Sequence, residues 1–179
     1  MTHADLLITG ANVVLPEGVR QVDIAVTGGI ITDIVEPGTS VDAGEVFDAS
    51  GLHVLPGLID PHVHLSPDIS FPKTPEDAIP ESRSAAAGGV TSMLIYLMSA
   101  QPYQDVFPVA KEAMSADSVV DFGFHFCVVT REQLDSIPHY AKDLGVSSYK
   151  FFMNFRGEEG AYLGPVSYTH LTLPTKRIV

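Results

Sequence analysis

Apolar and polar positions alternate in short runs along the first third of the chain: Leu6-Leu7-Ile8-Thr9, Val13-Val14-Leu15, Val22-Asp23-Ile24-Ala25-Val26, Ile30-Ile31-Thr32-Asp33-Ile34-Val35 and Val46-Phe47-Asp48. Between them stand Gly10-Ala11-Asn12, Pro16-Glu17-Gly18, Gly28-Gly29 and Pro37-Gly38, residues that permit positive φ or fix turns. The pattern predicts a small all-β, sandwich-like domain of short antiparallel strands over 1–55, with Gly28-Gly29 as a hairpin turn.

After Gly57 the rhythm becomes strand then helix. Leu58 to His62 reads as a first strand, with Leu58-Ile59 buried. Thr74 is a candidate helix cap, Glu76-Asp77 complement the helix dipole, Pro80 interrupts or delays the helix, and Gly88-Gly89 stop it. Val90 to Met98 is apolar nearly throughout, as a strand covered on both faces is. Asp105 to Ala116 suits a second helix, and Val119 to Val129 a third strand with Phe122, Phe124 and Phe126 on one side. Thr130 and Gln133 form a capping-box pair for a third helix that Gly145 closes, and Ser148 to Met153 is a fourth strand. Strands alternating with helices at this spacing mean βαβ units and a parallel sheet.

Four such units are half of an eight-stranded (β/α)8 barrel of TIM type. A whole barrel needs about 250 residues, far more than the stretch from Pro56 to Gly164 supplies. The fold class expected is therefore α/β: a small β domain over 1–55, then the first four βα units of a truncated barrel over 56–164. Residues 165–179, Pro165 to Val179, share neither the acidity nor the rhythm of what precedes them. They read as a non-native tail translated from a sequencing adapter, which leaves His170 without chemical meaning.

Composition narrows the class. Hydrophobic residues make up 45% of the 179, with mean hydropathy +0.20, enough for a core. A formal charge of −12 argues against nucleic acid or an anionic membrane as partner. No apolar run reaches membrane-spanning length, and the start Met1-Thr2-His3-Ala4-Asp5 lacks a basic signal region, so a cytoplasmic location is expected. Cys127 is the single cysteine; it sits in an apolar run and reads as a buried, inert thiol.

Two places carry chemistry. In Pro56-Gly57-Leu58-Ile59-Asp60-Pro61-His62-Val63-His64-Leu65 a strand ends in two histidines spaced by one residue, and a strand of period two turns both to the same side. Two imidazoles on one face can hold one metal ion. At an arbitrary strand end the pair would be two unrelated polar residues; the end of a barrel strand is where such active sites are built. Lys150 lies in Tyr149-Lys150-Phe151-Phe152-Met153, where a lone ammonium costs several kcal/mol unless it is paired, neutralised or snorkels to the rim. A neutral amine there can add carbon dioxide, and the resulting carbamate can bridge two metal ions.

With Leu55-Pro56-Gly57-Leu58-Ile59-Asp60-Pro61-His62-Val63-His64, Ala87-Gly88-Gly89-Val90-Thr91, Asp121-Phe122-Gly123-Phe124-His125 and Lys150 to Gly157, residues 5–164 resemble the cyclic amidohydrolases of the amidohydrolase superfamily, closest to the dihydropyrimidinase and hydantoinase branch. The resemblance implies that His62 and His64 bind the more buried of two divalent metals, normally zinc, and that carboxylated Lys150 bridges it to the second. The family's further histidines and its proton-shuttle aspartate have no counterpart before the chain ends. His125 is read as a packed or supporting residue, and His53 and His139 receive no role. Where the hydantoinase branch usually has a tyrosine that helps hold the oxyanion, this chain has Phe155, a candidate substrate contact. Leu65-Ser66-Pro67 follows the histidine pair where dihydroorotases usually have an arginine, which disfavours dihydroorotate.

The function this implies is hydrolysis of a small cyclic amide (hydantoin, dihydropyrimidine, imide or related ureide) by a metal-bridging hydroxide, in a protein that is a homo-oligomer at full length. The fragment alone is expected to be inactive. The rivals are a non-catalytic dihydropyrimidinase-related scaffold, and another branch of the superfamily such as a dihydroorotase, allantoinase or deacetylase.

Overall fold

The structure, a computed structural model, describes residues 3–65 and 75–152. The chain divides into two compact units, Met1–Pro56 and Gly57–Val179.

In the first unit β1 (Ala4–Leu15), β2 (Gly18–Thr27), β3 (Ile30–Val35), β4 (Ala43–Asp48) and β5 (His53–Val54) form one sheet in the order β3-β2-β1-β4, with β5 also paired to β1. The hairpin expected at Gly28-Gly29 is there, with φ of 59° and 77°, the two positive values that a tight turn between twisted strands demands. Two expectations are corrected. The sheet is not all antiparallel, because β4 and β5 run parallel to β1. Nor does Gly10 end a strand: β1 continues through it as a bulge, with the register shifting between Ile8 and Ala11. Buried Asp23 explains the bulge, since its carboxylate accepts the Gly10 N–H at 2.9 Å and the Gly38 N–H at 3.2 Å, pairing an amide that the ladder leaves over. Ala11, Val13, Val22, Ile24 and Ala49 form the core beneath.

In the second unit β6 (Leu58–Val63), α1 (Pro75–Ala87), β7 (Val90–Met98), α2 (Tyr103–Asp117), β8 (Asp121–Cys127), α3 (Arg131–Asp135), α4 (Ile137–His139), the π-helical turn α5 (Tyr140–Leu144) and β9 (Tyr149–Lys150) follow one another. The four strands are parallel in the order β6-β7-β8-β9, the partial barrel sheet that the alternating pattern predicts. Met93, Ile95 and Leu97 of β7 and Phe126 of β8 are buried in one core with Phe107 and Met114 of α2. Phe107 meets Phe124 and Phe126 edge-on, with centroids 5.2 and 5.1 Å away, so the phenylalanines of β8 do share a face.

Three details differ from the sequence reading. α1 runs through Pro80 rather than being interrupted there, whereas α2 holds Pro108 inside, as the expected span Asp105 to Ala116 does. Each proline removes one main-chain bond near its helix's start, and in α2 burial of Val106, Phe107, Ala110, Ala113 and Met114 offsets the loss. Leu58 and Ile59 are 55% and 66% exposed rather than buried, because β6 is the outer strand of the sheet and has one paired neighbour. The fourth strand pairs only over Tyr149–Lys150 among the described residues. Thr74, Met153, Phe155 and the tail with His170 lie outside the described residues. Among those described, no helix is long and apolar enough to cross a membrane.

Candidate metal centre

Parity along the parallel strands decides which side chains meet. Met93, Ile95 and Leu97 are buried among the helices, so Tyr96 points to the opposite face of β7. In the parallel register Tyr96 stands beside His125, and Cys127 beside Lys150. Val63 packs into the helix-side core, which turns its neighbours His62 and His64 toward Tyr96. Four strands thus bring His62, His64, Tyr96, His125 and Lys150 to one face, near the strand ends where barrel active sites lie.

The entry to β6 is built by close approach. Leu58 N–H donates to the Gly89 carbonyl at 3.0 Å, and a Cβ on Gly57 would come within 2.1 Å of Thr91 Oγ1, so only glycine fits. Gly57-Leu58 and Gly89-Val90-Thr91 are therefore two halves of one packing contact. Pro61 has no N–H, and the Asp60 carboxylate takes the next one, accepting His62 N–H at 3.0 Å. This fixes the backbone from which the first imidazole springs.

The Nε2 atoms of His62 and His64 lie 3.3 Å apart. Two nitrogens bound to one tetrahedral zinc at 2.0–2.1 Å stand about 3.3–3.4 Å from each other, so the pair has the bite of a chelate. Burial, the nearby Lys150 ammonium and His62 all lower the pKa of His64 below the ordinary imidazole value, favouring the neutral ring that a metal requires. The Lys150 Nζ stands 4.5 Å from the centroid of Tyr96 and 5.0 Å from that of Phe152. Such cation–π contacts contribute about 0.5–2 kcal/mol and answer how a lysine is tolerated in this strand. Among the described residues no group of three or more His, Cys, Asp or Glu side chains is placed to hold a metal; the site is a histidine pair with a lysine across from it.

His125 is held by Ser148, whose Oγ hydrogen-bonds its Nδ1, and its ring lies 4.6 Å from that of Tyr96. Its pKa is lowered mainly by burial, with His62 adding to the effect and the Pro61 carbonyl opposing it. It is packed beside the pair, as expected. Cys127 is buried, and burial pushes its thiol up to about 11 against the pull of Lys150, the inert cysteine expected. His53 stands in β5 of the other unit, and His139 is an exposed partner of Asp143 at 2.6 Å. The residue that sequence reasoning passed over is Tyr96. The alternation of β7 sets its face, but its neighbours come from three other strands.

No family model matches the chain. It is 38% identical over 160 residues to an allantoinase of Desulfitobacterium hafniense (strain Y51), an alignment covering 85% of this chain and 33% of that protein. It is 32% identical over 155 residues to a dihydropyrimidinase of Arabidopsis thaliana, covering 85% and 29%. Among solved structures, D-hydantoinase from a Bacillus sp. AR9 superposes with a TM-score of 0.77 at 27% identity, over 93% of this chain and 37% of the other. The chain spans about a third of the length of the curated relatives it matches. On sequence, partial barrel sheet and structural neighbours together, the chain is similar to the cyclic amidohydrolase branch of the amidohydrolase superfamily.

Proposed function

We propose that this chain supplies the first metal-binding half of a hydrolase that opens a cyclic amide. The observation that carries the reading is the chelate-like approach of His62 and His64 on the face that also presents Lys150. The donor set suits two divalent ions, zinc first: His62 and His64 would hold one, and Lys150 would serve both. Bound there, such ions supply Lewis-acid polarisation of the amide carbonyl and a water of lowered pKa.

The chain's own part is to present neutral imidazoles and an anionic bridge. His64 is held toward its neutral form, and Asp60 fixes the main chain of His62. Lys150 would become an anionic ligand once its neutral Nζ attacks carbon dioxide: the N–C bond forms as one C=O π pair moves onto oxygen, a proton passes from the nitrogen to water, and a carbamate with two oxygens results. The side chain must then leave the face of Tyr96, since a ring that attracts an ammonium does not attract an anion.

The substrate class is a cyclic ureide or imide, and the relatives named above make allantoin, hydantoin and dihydropyrimidine rings the ones to try. Leu65-Ser66-Pro67 offers no cation for the carboxylate of dihydroorotate. Phe155 brings no hydroxyl to an oxyanion, so that hydrogen bond must come from another group. A reducing, cytoplasmic compartment suits the single buried thiol. The test is hydrolysis of allantoin, hydantoin, dihydrouracil and succinimide by the full-length protein supplied with zinc and bicarbonate. Turnover of any ring, abolished by His62→Ala, supports the reading; a metal-loaded protein inert on all four contradicts it.

A further inference from the structure

We infer that Tyr96 is a positioning residue for this centre: its ring is the common surface against which His62 and His64 are held in place for metal. The inference rests on the reading of those two residues as ligands. Tyr96 springs from β7, between the strand that carries the histidine pair and the strand beside the one that carries the lysine. Its ring centroid is 4.4 Å from that of His62 and 5.3 Å from that of His64, which stacks on it at an interplanar angle of 20°. The two prospective ligands of one ion thus share one neighbour, and the Lys150 Nζ, as an ammonium, stands 4.5 Å from the same centroid.

The same ring also meets His125 at 4.6 Å, and a hydrogen bond with Ser148 fixes His125 in turn. An aromatic ring has two torsions, and with three imidazoles around it, it makes a rigid plate rather than a mobile filler. A ligand pair whose rings are already oriented loses less freedom when metal binds, which is how residues behind a metal site add to affinity. All the contacts given above are with the ring, so the hydroxyl is dispensable for this role.

The experiment is zinc competition against a chromogenic chelator with the whole chain, alongside cobalt absorption spectra and the NMR signals of the histidine rings in the metal-free protein. Tyr96→Phe keeps the plate and should match the unaltered chain in all three. Tyr96→Leu and Tyr96→Met keep bulk without a plate and should weaken zinc binding by about 10–100-fold, as losses behind metal ligands do, with broadened His62 and His64 signals and an unchanged melting temperature. Zinc affinity unchanged in both ringless variants, or lost equally in Tyr96→Phe, overturns the inference while leaving the ligand reading intact. An unaltered chain that binds no zinc, or binds it equally with His62→Ala, overturns the ligand reading and this inference with it. Should one ringless variant unfold, the other and the histidine signals of Tyr96→Phe decide.

Discussion

Gly57 lies so close to Thr91 that any side chain on it would meet Oγ1, Cγ2 and Cβ of the threonine at 2.1, 2.3 and 2.7 Å. The strand bearing the histidine pair is thereby set against β7 at its first residues, and the pair is aimed from there. Gly57→Ala is expected to destabilise the protein by about 1–3 kcal/mol, the usual cost of overpacking. Thr91→Ala should recover part of that loss in the double variant. Urea midpoints of the four proteins measure the coupling; additive single effects would mean that the contact is not what limits the site.

Gln133 ties three segments together from a fully buried position. Its Oε1 accepts Val129 N–H at 2.9 Å and Thr130 N–H at 3.2 Å, and its Nε2 donates to the Ser99 and Gln101 carbonyls at 2.7 and 2.8 Å. Thr130 Oγ1 completes the capping box by accepting Gln133 N–H at 3.2 Å. Thr130→Ala should cost about 1 kcal/mol, as loss of a cap does. Gln133→Leu should cost about 3 kcal/mol or more, because it strands several buried main-chain groups at once. Thermal or urea unfolding separates the two, and equal losses would contradict the network.

The imidazoles set a pH dependence for the metal-free protein. His64 and His125 titrate below the ordinary value of 6.5, the first cause in each being burial. Between those lowered values and 6.5 the unfolded chain binds more protons than the folded one, so this contribution is present above 6.5 and is lost as pH falls through the window. NMR titration of the ring protons reads it directly. Lys150→Met removes a positive charge beside His64 and should raise the pKa of that ring while moving His125 less. An unmoved His64 would mean that the lysine is not its neighbour in solution.

How much of this is readable in the sequence differs from residue to residue. His62 and His64 face one way because strands alternate, and that needs no tertiary knowledge. The capping box at Thr130 and Gln133 and the turn at Gly28-Gly29 are local chemistry, and both stand where expected. Tyr96 is different: its face follows from alternation, but its place among His62, His64, His125 and Lys150 follows from register between four strands, which no local pattern encodes. The parallel pairing of β4 with β1 is hidden for the same reason, and Gly10 looks like a turn until Asp23, thirteen positions on, is seen to hold its amide. Exposure of Leu58 and Ile59 reflects the outer position of β6 rather than anything in their own composition.

The central claim is that His62, His64 and Lys150 form one metal centre, and metal stoichiometry tests it most directly. Zinc content should be measured on the full-length protein, with and without bicarbonate, for the unaltered sequence and for Lys150→Ala. About two zinc ions per chain, rising with bicarbonate and reduced by Lys150→Ala, is the result predicted. A protein that binds no zinc with all three side chains intact would contradict the account and leave a non-catalytic member of the same fold in its place.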